Sequence, residues 1–131
     1  MSEDIVTDRI LIVDDQRQFG ELVANIARTA GFEVAITERT DDFLAQLEPF
    51  QPTLLMIDLM MPEGDGIGLL RELAARKCAQ PILLISRLDV RTLSWADTLG
   101  RQLGLHIAGT IAKPVRAAEL RARLGDLKKV G

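Results

Sequence analysis

Asp14, Asp15, Asp58, Ser86 and Lys113 are the residues of this chain best suited to chemistry, and each stands at the carboxyl end of a short apolar run. Asp14-Asp15 follows Ile10-Leu11-Ile12-Val13, Asp58 follows Leu54-Leu55-Met56-Ile57, and Ser86 follows Ile82-Leu83-Leu84-Ile85. Lys113-Pro114 ends the weaker run from Ile107 to Ala112. Carboxylates gathered in one place repel: two unit charges about 4 Å apart cost ~4 kcal/mol at an effective dielectric near 20. A cation relieves that cost. Hard carboxylate oxygens, with no His or Cys in the set, suit Mg²⁺, which keeps several waters and shares its shell with phosphate oxygens. A lysine supplies a point charge for an anion, and a hydroxyl donates a hydrogen bond to it. The combination is equipment for phosphoryl transfer, which needs positioning and charge neutralisation. A carboxylate can itself be the nucleophile and form an acyl phosphate.

Such residues work together only if the run ends meet. The three strong runs are unbroken rather than alternating, as strands read when both faces are covered in a parallel sheet between helices. Val34-Ala35-Ile36 and Ile107 to Ala112 are weaker, which suits strands nearer an edge. Between the runs, Phe19, Leu22, Val23, Ile26, Ala27 and Ala30 form one helical stripe. Gly31 is placed as its C-terminal cap. Thr40 is positioned to cap a second helix carrying Phe43, Leu44 and Leu47. Ile67, Leu70, Leu73 and Ala74 mark a third; Asp89 caps a fourth running towards Leu103; Ala117, Leu120, Leu124 and Leu127 mark a fifth. Strand then helix, five times over, predicts an α/β parallel sheet with right-handed crossovers. In that architecture the ligand site lies beyond the carboxyl ends of the strands, where strand order reverses.

At 131 residues the chain fits one domain, 1–131, with a core over about 9–127. Its 47% apolar and 27% charged content is ordinary for a soluble globular protein. A net charge of -3 gives no reason to expect nucleic acid or an anionic membrane as partner. No apolar run approaches the ~18 residues of a membrane span. Met1 to Asp8 is acidic and polar, the reverse of a signal peptide. Cys78 is the lone cysteine and cannot form an internal disulfide, so a reducing, cytoplasmic setting is expected.

Taken in order, Ile10-Leu11-Ile12-Val13-Asp14-Asp15, then Asp58-Leu59-Met60-Met61-Pro62-Glu63-Gly64-Asp65-Gly66, then Ser86, then Lys113-Pro114 resemble the receiver domain of two-component response regulators, from Arg9 to Leu127. The resemblance implies a doubly wound, flavodoxin-like (βα)5 fold with a five-stranded parallel sheet in strand order 2-1-3-4-5. It implies that Asp58 accepts a phosphoryl group, with Mg²⁺ as cofactor. Asp15 would ligate the metal directly and Asp14 through water, with Asp58 and the backbone carbonyl of Met60 completing the protein's share. Lys113 would pair with the phosphoryl group, and Ser86 would turn to hydrogen-bond it after transfer. The Lys113-Pro114 bond is often cis in this family. The implied partner is a histidine kinase or a histidine phosphotransfer protein. The protein would be no enzyme beyond its own phosphorylation and dephosphorylation. The switched surface, and with it a homodimer contact, would lie on the face from the fourth to the fifth helix.

The chain departs from the family pattern in three places. Thr110 stands where receivers carry Tyr or Phe, so the switch pair is Ser86 with Thr110, and the chain has no tyrosine to supply the ring. Arg87 follows the hydroxyl residue where a small side chain is usual. It is expected either to contact the phosphoryl group or to shield it from water, prolonging the phosphorylated state. The stretch from Ser86 to Lys113 is longer than usual, with the extra residues around Leu99 to His106 extending the fourth helix or its loop. Ser86-Arg87-Leu88-Asp89 before a long helix also weakly resembles receivers tied to cyclic-di-GMP phosphodiesterase domains, which makes a fragment of a larger regulator one alternative. A static docking module that has lost its switch at Thr110 is another. An aspartyl-phosphate phosphohydrolase would carry Asp-x-Asp at the first strand, where this chain has Asp14-Asp15-Gln16.

The remaining notable residues read as structural. Met60-Met61 packs rather than binding a hard cation. Gly64, Gly66 and Gly68 form a turn, lacking the Lys-Ser/Thr of a phosphate loop. Cys78 and the single His106 take surface or small apolar roles, and Trp95 on the fourth helix is read as core ahead of a partner contact. Arg116, Arg121, Arg123, Lys128 and Lys129 make a solvated face on the last helix, diluted by Glu119 and Asp126.

Overall fold

The apolar runs become strands whose two faces are both covered. The computed structural model describes residues 7–60, 66–87 and 90–128. In chain order the elements are β1 (Arg9–Val13), α1 (Arg17–Thr29), β2 (Glu33–Thr37), α2 (Thr40–Phe50), β3 (Leu54–Asp58), α3 (Gly66–Ala75), β4 (Ile82–Ser86), α4 (Val90–Gln102), β5 (Ile107–Ala112) and α5 (Ala117–Asp126). All strand pairs are parallel, in the order β2-β1-β3-β4-β5. The two weaker runs, β2 and β5, are the edges, as their composition suggests. Among the described residues no helix is long and apolar enough to cross a membrane.

Side-chain alternation explains why the central runs are apolar throughout. Ile10, Ile12, Leu54, Met56, Leu83 and Ile85 pack with Val23 and Ala27 of α1 and Leu120 and Leu124 of α5. Their neighbours Leu11, Val13, Leu55, Ile57, Ile82 and Leu84 pack on the opposite face with Phe43, Leu70, Leu73 and Leu93. Each large aliphatic side chain so buried contributes roughly 1.5–3 kcal/mol of transfer free energy.

Register then aligns the strand ends. Val13 pairs with Ile57, so Asp14 and Asp58 are the next residues on adjacent strands. Asp58 pairs with Ile85, one residue before Ser86, and Ser86 pairs with Ala112, one residue before Lys113. An irregularity at the start of the β4–β5 pair, where Ile82 meets Ile107 but Leu83 meets Gly109, inserts Ala108 into β5. A one-residue slip would turn every later β5 side chain to the other face. The bulge therefore helps decide which way Lys113 enters.

Several local expectations need correction. Thr40 is the first residue of α2 rather than its cap; Arg39 takes the cap position without a side-chain hydrogen bond. Trp95 is 55% exposed. The buried stripe of α4 runs through Leu93, Ala96 and Gly100, and at 100° per residue position 95 falls on the outward side. Met60 is 51% exposed because the chain has left β3 by that point, so it does not pack into the core. The 13-residue α4 and the turn after it take up the long stretch before β5. Expectations for Met61, Gly64, Asp89, Lys129 and most of the N-terminal stretch lie outside the described residues.

Helix ends carry their own sequence logic. At the end of α1, Gly31 has φ 98°, with Gly31 N–H donating to the Arg28 carbonyl and Phe32 N–H to the Ala27 carbonyl. This is the Schellman arrangement, which wants glycine. The end of α3 repeats the pattern with Lys77 at φ 57°: Lys77 N–H donates to the Ala74 carbonyl and Cys78 N–H to the Leu73 carbonyl. A left-handed residue with a Cβ costs roughly 1–2 kcal/mol. Gly31→Ala should thus lower stability by about 1 kcal/mol, while Lys77→Gly should raise it by about 0.5–1 kcal/mol. Urea denaturation midpoints check both signs.

Candidate functional site

The residues at the carboxyl rim converge on one ammonium group. Lys113 enters from the end of β5 and its Nζ lies 2.9 Å from Asp14 Oδ2 and 3.2 Å from Asp58 Oδ2. It also donates to Gln16 Oε1 at 3.2 Å and sits 4.2 Å from the centre of the Phe19 ring. Asp14 and Asp58 are almost wholly buried, whereas Asp15 is exposed beside them. Carboxylate oxygens of Asp14, Asp15 and Asp58 all lie within 4.8 Å of one another.

Backbone groups hold the carboxylates in place. Asp14 Oδ1 accepts the Gln16 N–H at 2.8 Å, and Asp58 Oδ1 accepts the Met60 N–H at 2.9 Å. The Asp14 N–H donates to the Thr37 carbonyl at 3.0 Å, and the Thr37 hydroxyl donates to the Ile12 carbonyl at 2.7 Å, tying the end of β1 to β2. Ser86 is fully buried at the end of β4, and its carbonyl accepts the Lys113 N–H at 2.8 Å. The Lys113-Pro114 bond is cis. At the start of α3, Gly66 lies so close to β3 that a Cβ would come within 2.6 Å of Leu59 Cα.

The expected residues are therefore brought to one rim. Asp14, Asp15, Asp58 and Lys113 form a cluster, Ser86 stands at the neighbouring strand end, and Met60 contributes its N–H to Asp58. Arg87 is exposed directly after Ser86. Thr110 pairs with Leu84 on β5, half-buried, and its carbonyl accepts a long 3.5 Å hydrogen bond from Arg123. Gln16 and Phe19 are the members the sequence reading did not assign to the site. Their nearness to Asp14-Asp15, one helical turn apart at the start of α1, is the signal that could have found them.

Comparison with known proteins places this geometry in a family. The family model described as response regulator receiver domain matches residues 10–125. The transcriptional regulatory protein BaeR of Escherichia coli is 32% identical over 120 residues, covering 90% of this chain and 47% of BaeR. The DNA-binding response regulator MtrA of Mycobacterium tuberculosis is 30% identical over 123 residues, covering 92% of this chain and 50% of MtrA. The chain thus spans about half the length of the curated relatives it matches. Among solved structures, a response regulator from Colwellia psychrerythraea is 32% identical with a TM-score of 0.82, covering 93% of this chain and 97% of that one.

The site is strained by its own charge. Burial pushes the Asp58 carboxyl above its ordinary value of 3.8; the nearby Asp14 adds to that, while the Met60 N–H and Lys113 oppose it. A raised carboxyl pKa means the native state holds its proton more tightly than the unfolded chain does. The contribution of this group to stability is then fully present below the unfolded pKa and is lost as pH rises through the folded one. At pH 7 without divalent cations, Asp58→Asn should melt a few degrees higher than the unaltered chain. The gain should shrink as the solution is made acidic and Asp58 takes up its proton, and differential scanning calorimetry across pH reads the trend.

Proposed function

This chain belongs to the response regulator receiver domain family, and we propose that it switches by accepting a phosphoryl group on Asp58 from a histidine kinase or a histidine phosphotransfer protein. The observation that carries the reading is the position of Lys113 Nζ, between Asp14 and Asp58 at 2.9 and 3.2 Å. An ammonium there supports a carboxylate nucleophile and stands ready for the charge that arrives with a phosphoryl group.

The donor set suits Mg²⁺. Its atoms are carboxylate oxygens within 4.8 Å of one another, with no His or Cys in the group. Lys113 and backbone N–H groups occupy one lone pair on the Asp14 and Asp58 oxygens, and each oxygen keeps a second. Exposed Asp15 is open to a direct metal contact, while Asp14, Asp58 and the Met60 carbonyl would complete the protein's share. When bound, Mg²⁺ supplies charge neutralisation for the phosphoryl oxygens.

In the transfer, an Asp58 oxygen forms a bond to phosphorus as the N–P bond of phosphohistidine breaks, and the electron pair returns to the imidazole nitrogen. Lys113 holds the new negative charge. Ser86, at the neighbouring strand end, would turn after transfer to donate a hydrogen bond from its hydroxyl to a phosphoryl oxygen. Later attack by water on phosphorus breaks the bond to Asp58 and releases inorganic phosphate. In this reading the chemistry is confined to the protein's own phosphorylation and dephosphorylation, and the protein acts as a signalling switch in the cytoplasm. The readout surface is the face from α4 across β5 to α5, where Val90 and Trp95 stand exposed. Thr110 lies on that face without an aromatic ring, and a partner or a second copy of the chain would bind there.

Incubation with a small phosphodonor such as acetyl phosphate and Mg²⁺ should add a single phosphoryl group, seen by intact-protein mass spectrometry. Asp58→Asn should show none, and chelation of the metal should abolish labelling of the unaltered chain. Absence of labelling on the unaltered chain would support the static-module alternative.

A further inference from the structure

A second cation borders the same rim as Lys113. Arg87 follows Ser86 at the end of β4, is exposed, and lines a cavity of about 340 Å³ together with Lys113 and Gln16. Phe19, Leu22, Pro114 and Val115 wall the rest of that cavity. The same arginine lines a neighbouring depression of about 600 Å³ with Gln16, Phe19 and Leu22, so it faces the start of α1 across open space. Topology locates the space between them. In the sheet β3 lies between β1 and β4. A cavity bordered by the residue after β4, by the start of the helix following β1 and by Lys113 adjoins the end of β3, where Asp58 sits 3.2 Å from the Lys113 ammonium. Alternation agrees: Ile85 packs on the α1 and α5 side, and Arg87 is two residues further on.

Charge gives this placement a purpose. Lys113 is already shared by Asp14, Asp58 and Gln16. An acyl phosphate on Asp58 would replace one negative charge by about two. Arg17, the other arginine near this cavity, is committed to Glu21 and Glu38. Arg87 has no carboxylate partner among the described residues. Its guanidinium can meet two phosphoryl oxygens at once, which an ammonium cannot.

Building on the reading of Asp58 as phosphoacceptor, we infer that Arg87 is a second phosphoryl-binding residue, which closes over the modified Asp58 and screens it from water. The probe is beryllofluoride with Mg²⁺, which stands in for the phosphoryl group on an aspartate, titrated by calorimetry. Arg87→Ala should bind it roughly fivefold to tenfold more weakly, Arg87→Lys should recover part of that loss, and added salt should narrow the gap. The same Arg87→Ala protein, labelled with acetyl phosphate, should lose its phosphate faster than the unaltered chain. Unchanged beryllofluoride affinity in Arg87→Ala, or a phosphate half-life equal to or longer than that of the unaltered chain, overturns the inference. Failure of the unaltered chain to take up phosphate at all would instead overturn the reading of Asp58.

Discussion

Two buried carboxylates share one ammonium, and the rest of the structure serves that arrangement. Asp14 and Asp58 are each within hydrogen-bond reach of Lys113 Nζ, and all three side chains are nearly inaccessible to solvent. Buried charge is tolerated only when paired and hydrogen-bonded. Here the pairing is incomplete, because one positive charge faces two negative ones with a third, Asp15, nearby. The shortfall of positive charge is a standing attraction for a further cation, and the phosphoryl chemistry proposed above depends on it.

The fold supplies what holds such a cluster together. Three adjacent strands bring Asp14, Asp58 and Ser86 level, and the bulge in β5 sets the entry of Lys113. Apolar packing on both sheet faces offsets the cost of holding charge at the rim, since the interior strands β1, β3 and β4 are buried almost without interruption. The backbone adds donors where the side chains need them, with Gln16 N–H on Asp14 and Met60 N–H on Asp58. Beside this base stands exposed Arg87, which has no carboxylate partner among the described residues.

Much of this was legible in the residues. Unbroken apolar runs gave the central strands, weaker runs gave the edges, and the polar residue ending each run gave the rim. The order of strands came from the family resemblance, since periodicity alone does not fix which strands are neighbours. What escaped depended on three-dimensional placement. Gln16 stood out only as the residue after Asp15 and Phe19 as part of a helix stripe, and only the path of Lys113 across the rim makes them its partners. Trp95 was misplaced because a large aromatic suggested core, while the small residues Ala96 and Gly100 mark the side of α4 that actually packs. At Gly100 a Cβ would lie 2.6 Å from Ile107 Cδ1, so α4 comes close to β5 at that point. Thr40 was misread by one residue, a common uncertainty at helix ends.

The claim that the acidic rim attracts a further cation is tested most directly by titrating Mg²⁺ into the protein, with no phosphodonor present, while following backbone amide resonances. Saturable shifts centred on Asp14, Asp15 and Asp58 to Met60, lost in Asp15→Asn, are the predicted result. Shifts that never saturate, or that spread over the acidic surface without regard to the rim, would contradict it.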